Sequence, residues 1–166
     1  SHSVSPEQIL LGAGSGEILK ICATAFDGPV VVADPTFEAI ARHAERRGLH
    51  VVKVPLTDTY AHDLPKMAAA AKGGLLYLCN PNHPTASITP KKTVRDLIAS
   101  VPVETTILVD EAYHHFVESD DYDSVIPLVQ EHPNLIVART FPKIYGLAGL
   151  RCGYCVARPE LIQRMR

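Results

Sequence analysis

The sequence predicts an α/β protein in which a mostly parallel sheet lies between two layers of helices, a three-layer α/β/α sandwich. The first observation is that short apolar runs alternate with longer segments whose apolar residues recur at helical spacing. The second is that the runs at 30–33 and 106–109 are uninterrupted and rich in β-branched residues, as in strands buried on both faces. With 166 residues, the whole chain, 1–166, is expected to form one domain.

The elements follow in order from local signals. A short strand at 9–11 precedes a glycine-rich turn and a helix over 15–26, which Gly28 and Pro29 end. The strand at 30–33 closes with residues 34–36, and Asp34 is expected to cap a helix that ends near residue 48. Further strands are predicted at 50–54, 75–79, 106–109, 135–138 and 153–157. Helices are predicted at 66–72, at 124–130, from residue 159, and through 97–99 with Thr89 as N-cap and Pro90 in the first turn.

Composition and charge exclude several classes of function. Sixteen Lys and Arg oppose 18 Asp and Glu, the net charge is −2, and no block of like charge supports a nucleic-acid or membrane-surface partner. No apolar run approaches the roughly 20 residues that span a bilayer, and the polar start at 1–3 is not a signal peptide. We therefore expect a soluble, cytoplasmic protein.

The four cysteines lie in apolar stretches, which favours small buried side chains over disulfides. The pair Cys152 and Cys155 has redox spacing, but positions i and i+3 of a strand face opposite sides. His114 and His115 suggest a metal site only weakly, because no cluster at ligand spacing accompanies them. We expect no bound metal.

Polar residues follow four predicted strands, and ligands of open parallel sheets bind outside the carboxyl ends of the strands. These segments are 12–17, 80–85, 110–113 and 139–143. The glycine-rich turn at 12–17 is suited to a phosphate, although it is also compatible with an ordinary strand-to-helix turn. A dinucleotide site is a further alternative, with Asp34 as the ribose-binding acid. That fingerprint is incomplete because Glu17 replaces its third glycine.

Lys143 is the candidate nucleophile. It lies among Thr140, Tyr145 and small or apolar residues, with Arg151 eight positions later. Desolvation and a neighbouring cation would favour the neutral amine that forms a Schiff base. A lysine in a loop is otherwise a solvated charge, so the interpretation depends on Arg151, Thr140 and an acid at a neighbouring strand end.

Residues 110–113 (Asp-Glu-Ala-Tyr) and 139–154 (Arg-Thr-Phe-Pro-Lys-Ile-Tyr-Gly-Leu-Ala-Gly-Leu-Arg-Cys-Gly-Tyr) together resemble the cofactor core of fold-type I pyridoxal-phosphate enzymes. Within these, the chain is most similar to class I/II aminotransferases of the histidinol-phosphate type. The segments 12–17, 34–37 and 80–85 also occur in the family's order, so the resemblance covers nearly the whole chain.

The resemblance implies a role for each of eight residues. Lys143 matches the lysine that binds pyridoxal 5'-phosphate as a Schiff base and moves the substrate proton, and Asp110 matches the partner of the pyridinium nitrogen. Tyr113 matches the tyrosine that hydrogen-bonds the cofactor's phenolic oxygen, and Phe37 matches the aromatic residue that stacks on the ring. The residues that correspond to the phosphate-binding set are Ser15, Gly16, Thr140 and Arg151.

Three positions depart from the family pattern. His83 stands where the family has an asparagine that donates to the phenolic oxygen, and we expect it to contact the cofactor there. Pro142 replaces a serine and has neither hydroxyl nor backbone N–H, and Ala86 replaces a glycine. Intact family members are more than twice as long, so the resemblance implies a truncated large domain without the N-terminal arm or the small domain that binds the substrate carboxylate.

The sequence thus predicts the pyridoxal-phosphate domain of an aminotransferase that acts on an amino acid and a 2-oxo acid. The fragment is expected to be weakly active or inactive. The resemblance implies a homodimer, an expectation that the fragment itself leaves open. Two alternatives remain: a domain that retains the fold without productive cofactor binding, and a nucleotide-binding domain.

Overall fold

The computed structural model describes residues 4–166, so the interpretation of the polar start at 1–3 lies outside the described residues. The strands are β1 (Ile9–Gly12), β2 (Val30–Asp34), β3 (Val51–Pro55), β4 (Leu75–Cys79), β5 (Thr106–Asp110), β6 (Leu135–Thr140) and β7 (Gly153–Ala157). The α-helices are α1 (Ser15–Ala25), α2 (Ala39–Arg46), α3 (Leu64–Ala70), α4 (Lys91–Ser100) and α5 (Pro159–Met165). Short 3-10 turns cover Pro6–Gln8, His114–Phe116, Ile126–Gln130 and Ala148–Leu150.

The seven strands form one sheet in the order β1-β7-β6-β5-β4-β2-β3. Strands β2 to β6 pair in parallel, whereas β7 is antiparallel to both β6 and β1. Consequently β1 runs in the same direction as β2 to β6, and its carboxyl end lies at their edge of the sheet. The mostly parallel α/β fold predicted from the sequence is confirmed.

Two apolar cores, one on each face of the sheet, explain the uninterrupted strand sequences. Alternate side chains of β4 show this, because Leu75 and Tyr77 pack with helices α1, α2 and α5, whereas Leu76 and Leu78 pack with α3 and α4. A strand covered on both sides has no solvent-facing positions, so it reads as a continuous apolar run. This arrangement is the predicted three-layer sandwich.

Two helix caps differ from their predictions. Asp34 does not cap α2, which begins at Ala39 with Glu38 in the N-cap position and no side-chain cap bond. Thr89 lies one residue before the N-cap Pro90, and its hydroxyl instead lies 2.7 Å from Nδ1 of the buried His62. At Thr89 a contact with another segment replaced the local cap.

Other expectations concern cysteines and membranes. All four cysteines are free thiols, and Cys155 is buried while Cys152 is partly exposed, as its position before β7 requires. Within residues 4–166, helices long and apolar enough to cross a membrane are absent.

Candidate functional site

The carboxyl ends of β1, β5 and β6 bring the polar segments together. Gly153, at the start of β7, pairs with Gly12 at the end of β1 and with Thr140 at the end of β6. The loop that carries Lys143 and Arg151 therefore begins and ends at the same edge as the glycine-rich turn. We call this edge, with residues 12–17, 80–85, 110–113 and 139–151, the candidate site.

Asp110 ends β5 and is buried at 2% exposure. Its Oδ2 accepts a hydrogen bond from the Tyr77 hydroxyl at 3.1 Å, and its Oδ1 accepts one from the Ala112 N–H at 3.1 Å. Burial raises the pKa of this carboxyl to about 6, while the bonds from Tyr77 and Ala112 oppose that rise. Within the described part of the chain, no cationic side chain lies within ion-pair distance of Asp110.

A row of side chains extends from Lys143, whose charge acts on Asp110. The Lys143 Nζ is 4.9 Å from the centroid of the Tyr113 ring. Tyr113 is nearly parallel to His83, at 8° and 6.1 Å between centroids. His83 in turn meets Phe37 edge to face, at 89° and 5.8 Å. Four residues from distant parts of the sequence are thus contiguous.

Lys143 is exposed, as are residues 144–151. The expectation that packing desolvates this lysine is therefore wrong.

The start of α1 has the features of an anion site. Gly14, with φ +81°, precedes the helix, and Ser15 and Gly16 form its first turn. A Cβ on Gly16 would meet nothing within 4 Å, so this turn faces open space. The Arg151 Nη2 donates to the Ala13 carbonyl at 3.4 Å. A guanidinium beside free helical N–H groups favours an anion such as phosphate.

Close backbone packing holds this arrangement. A Cβ on Gly153 would lie 2.5 Å from the Ser15 nitrogen and 2.5 Å from the Gly14 carbonyl carbon, so the start of β7 packs directly on the turn. Thr140, paired with Gly153, is buried beneath it. Glu17 is also close, because its Oε2 accepts a bond from the Ala13 N–H at 2.6 Å.

Asparagine side chains position the loop that carries His83. The Asn82 amide donates to the Pro35 carbonyl at 3.0 Å and accepts from the Thr36 hydroxyl at 2.7 Å. Asn80 exchanges two hydrogen bonds with the Thr89 backbone, at 3.0 and 3.1 Å. The loop is therefore tied to the end of β2, which places His83 between Phe37 and Tyr113.

Sequence reasoning missed two partners in this region. One is Tyr77, whose place in an apolar run gave no sign that its hydroxyl meets Asp110. The other is Ser124, which joins Glu111 and Arg139 in a buried set that we call the ion-pair cluster. The Arg139 Nη2 lies 2.7 Å from Glu111 Oε2, and the Ser124 hydroxyl donates to the same oxygen at 2.8 Å. Arg139 is thereby occupied within the protein.

The dinucleotide alternative is wrong. It requires the strand that ends at Asp34 to lie beside the strand that precedes the glycine turn. In the sheet, β1 and β2 are separated by β7, β6, β5 and β4. At about 4.8 Å per strand, Asp34 is roughly 24 Å from the turn, too far for one ribose-phosphate unit.

The rings of His114 and His115 contact each other, and each also contacts a tyrosine ring. Their rings lie 5.6 Å from Tyr122 and 5.7 Å from Tyr145, respectively. For residues 4–166, we find no group of three or more His, Cys, Asp or Glu side chains arranged to hold a metal ion.

A cavity of about 500 Å³ adjoins His83 and Tyr113. Its other walls are mostly apolar and include Ile88 and Phe116, with Glu118 among the few charged side chains. There is thus room for a small organic molecule beside the candidate site.

Known proteins resemble this chain in sequence. The chain is 46% identical over 158 residues to the histidinol-phosphate aminotransferase of Symbiobacterium thermophilum, covering 92% of this chain and 43% of that protein. It is 41% identical over 166 residues to the histidinol-phosphate aminotransferase of Moorella thermoacetica, covering 96% of this chain and 43% of that protein. The chain therefore spans less than half the length of these relatives.

A solved structure has the same fold. The crystal structure of histidinol-phosphate aminotransferase from Sinorhizobium meliloti in complex with pyridoxal-5'-phosphate matches with a TM-score of 0.88 and 32% identity, covering 98% of this chain and 45% of that one. The family model for aminotransferase class I and II matches residues 1–166. This chain belongs to the class I and II aminotransferase family.

Proposed function

We propose that this chain is the pyridoxal 5'-phosphate-binding large domain, over residues 1–166, of an aminotransferase that transfers an amino group between an amino acid and a 2-oxo acid. The convergence of Asp110, Tyr113 and Lys143 at one sheet edge, in a chain of this family, carries the proposal. The shared name of the relatives supports histidinol phosphate as the amino donor.

The start of α1 fits the phosphate of the cofactor. Ser15 and Gly16 offer helical N–H groups, and Arg151 adds a guanidinium that contacts the same turn. We propose that Thr140, at the end of β6, supplies a hydroxyl to this set. Two kinds of donor, one neutral and one charged, suit a dianionic group.

Asp110 fits the protonated nitrogen of the ring. A buried carboxylate without a cationic partner in the described chain is unfavourable by itself, and a bound cation relieves that cost. We propose that Phe37 stacks on the ring and that Tyr113 and His83 contact its phenolic oxygen.

When bound, pyridoxal phosphate supplies an electron sink that stabilises negative charge on the substrate α-carbon. Lys143 is the proposed attachment point for the cofactor's aldehyde and the base that moves the α-proton. Its amine is exposed at the site and lies over the Tyr113 ring, so a substrate could reach it. Pro142 offers no hydrogen-bond donor, so the phosphate set lacks one member of the family pattern.

Pyridoxal phosphate followed by borohydride tests the proposal. We expect mass spectrometry to locate one pyridoxyl group on Lys143 and to find it lost in Lys143→Ala. Lys72→Ala is the matched control, because Lys72 is exposed and precedes β4 at the opposite edge of the sheet. Equal labelling of many lysines in all three proteins would instead support the alternative of a fold without a productive cofactor site.

We further propose a cytoplasmic location and a homodimer for the whole enzyme. Free, mostly buried cysteines support a reducing compartment. Exposed apolar side chains near the site support contacts with another chain or domain, and they include Leu11, Tyr145 and Leu150. We expect residues 1–166 alone to transaminate slowly, because the resemblance assigns binding of the substrate carboxylate to the small domain. Productive orientation of a substrate contributes roughly 7–11 kcal/mol to catalysis.

A further inference from the structure

Tyr77 is a fully buried tyrosine on β4, next to β5, and it lies outside the set of residues proposed to contact the cofactor. Its hydroxyl donates to Asp110 Oδ2 at 3.1 Å. The other carboxylate oxygen accepts from the Ala112 backbone N–H. Of these two donors, only the Tyr77 hydroxyl belongs to a side chain, so it is the one that a substitution can remove.

We propose that Tyr77 is a positioning residue whose hydrogen bond keeps the Asp110 carboxylate anionic for the cofactor's ring nitrogen. This inference rests on the proposed function only for the identity of the ring. The direction of the effect follows from the bond itself, because a donated hydrogen bond stabilises the charged form of a carboxylate.

The surroundings of Asp110 make this bond important. Burial raises the pKa of Asp110 to about 6, and the Tyr77 bond is the strongest of the interactions that lower it. Burial also raises the pKa of Tyr77 well above its usual range, so its hydroxyl remains a donor. The other titratable or charged groups that act on Asp110, or on which it acts, are Cys22 of α1, Cys79 of β4, Glu111, Tyr122 and Lys143.

These neighbours do not substitute for Tyr77. Burial raises the pKa of Cys79 to about 12, so its thiol is neutral at physiological pH. Glu111 raises the pKa of Asp110, and Lys143 lowers it less than Tyr77 does. Loss of the Tyr77 hydroxyl therefore leaves Oδ2 without its donor in a fully buried site.

Carbon-13 NMR of labelled aspartate carboxyls tests the proposal in the protein without cofactor. In Tyr77→Phe, we expect the titration midpoint of Asp110 to rise from about 6 by about one pH unit, as expected for a lost hydrogen bond to a charged group. Tyr122→Phe is the matched control, because the Tyr122 hydroxyl donates to the Asn80 carbonyl at 3.1 Å and not to Asp110. Its Asp110 midpoint should equal that of the wild type.

A second measurement is the affinity for pyridoxal phosphate at two pH values. A one-unit shift predicts binding about fivefold weaker than wild type at pH 6 and nearly equal at pH 8, where the carboxylate is ionised in both proteins. A purely structural role for Tyr77 would weaken binding by the same factor at both pH values, which would contradict the proposal.

Incorporation of 3-fluorotyrosine at position 77 covers the case in which Tyr77→Phe does not fold. The fluorinated phenol has nearly the same shape and is a stronger donor, so the Asp110 midpoint should fall. An unchanged midpoint in the fluorinated protein, or in a folded Tyr77→Phe, overturns the proposal. If wild-type protein binds no cofactor and Lys143 is not labelled, the proposed function fails, whereas the NMR titrations still decide the role of Tyr77.

Discussion

Asp110 and Glu111 are consecutive buried carboxylates, yet their surroundings differ. Glu111 belongs to the ion-pair cluster, where the Arg139 guanidinium and the Ser124 hydroxyl share one of its oxygens. Its other oxygen accepts the Val125 N–H at 2.8 Å. Asp110, in the candidate site, has two neutral donors and no ion pair within the described residues. The protein supplies its own cation to Glu111, whereas it supplies only neutral hydrogen-bond donors to Asp110.

The difference has an energetic meaning. Burial raises the pKa of both groups, and Arg139 is the largest opposing influence on Glu111. Removing one partner of a buried ion pair lowers the free energy of unfolding, because the other charge stays buried alone. A buried charge without a partner already lowers the free energy of unfolding in the wild type. Removing Arg139, the cation of Glu111, should therefore lower the stability of the fold, whereas removing the charge of Asp110 should raise it.

The largest expected effect is at Arg139. Arg139→Met should lower the free energy of unfolding by about 3–5 kcal/mol, because Glu111 then remains buried without its cation. Arg95→Met is the control, since the Arg95–Asp123 pair at 2.7 Å is roughly half exposed and such pairs contribute about 0–1 kcal/mol. Urea unfolding of the two variants compares them directly. Equal losses would show that the cluster is not a special source of stability.

The next effect is a pH dependence of stability at Asp110. Its pKa in the folded chain is about 6, against 3.8 ordinarily, so the folded state takes up the proton first as the pH falls. Ionised Asp110 therefore destabilises the fold above pH 6, and this cost disappears as the pH falls through 6 toward 3.8. Asp110→Asn should gain about 2–3 kcal/mol relative to wild type at pH 7 compared with pH 4.

Protonation of His62 lowers the stability of wild type and of Asp110→Asn equally. Burial lowers its pKa to about 4, so both proteins lose stability as the pH falls below the usual histidine range. The difference between wild type and Asp110→Asn cancels this contribution. A difference that stays constant from pH 4 to 7 would contradict the raised pKa of Asp110.

Cofactor binding should change in the opposite sense at the same residue. Asp110→Asn should weaken binding of pyridoxal phosphate about 10- to 100-fold and alter its visible spectrum, since a charge-assisted bond contributes roughly 1.5–3 kcal/mol. Asp34→Asn, at the exposed end of β2, is the control and should bind as wild type does. Unchanged affinity in Asp110→Asn would place this carboxylate outside the cofactor site.

The smallest effect concerns His83 and Pro142, two of the three departures from the family pattern. The double change His83→Asn and Pro142→Ser should tighten cofactor binding by about 2- to 10-fold for each bond restored, because a neutral hydrogen bond contributes roughly 0.5–1.5 kcal/mol. The single variants apportion the gain. No improvement in the double variant would mean that these loops do not meet the cofactor as the resemblance implies.

The fold was predictable because its signals are local. The apolar runs of β4 and β5 identified these strands almost to the residue, and Gly28 with Pro29 correctly ended α1. Helix caps were less predictable, because the hydroxyl of Thr89 has a partner, His62, that lies 27 residues away in the chain. Local preference could not anticipate that competition.

The sequence predicted which residues meet at the candidate site but not how exposed each of them is. Lys143, Asp110 and Tyr113 were chosen from motifs and strand ends, and the structure brings them together. The exposure of Lys143 contradicts the expected desolvation, because burial depends on what packs over a loop and not on the residues beside it in sequence.

Short segments of the sequence were enough to predict the α/β class, most strands and the residue types at their carboxyl ends, because strand burial and turn chemistry are local properties. The strand order, which separates Asp34 from the glycine turn and excludes the dinucleotide alternative, became known from the folded chain. So did the pairing of Arg139 with Glu111 and the hydrogen bond from Tyr77 to Asp110. These partners are 28 and 33 residues apart in sequence, so only the packing of neighbouring strands selects them.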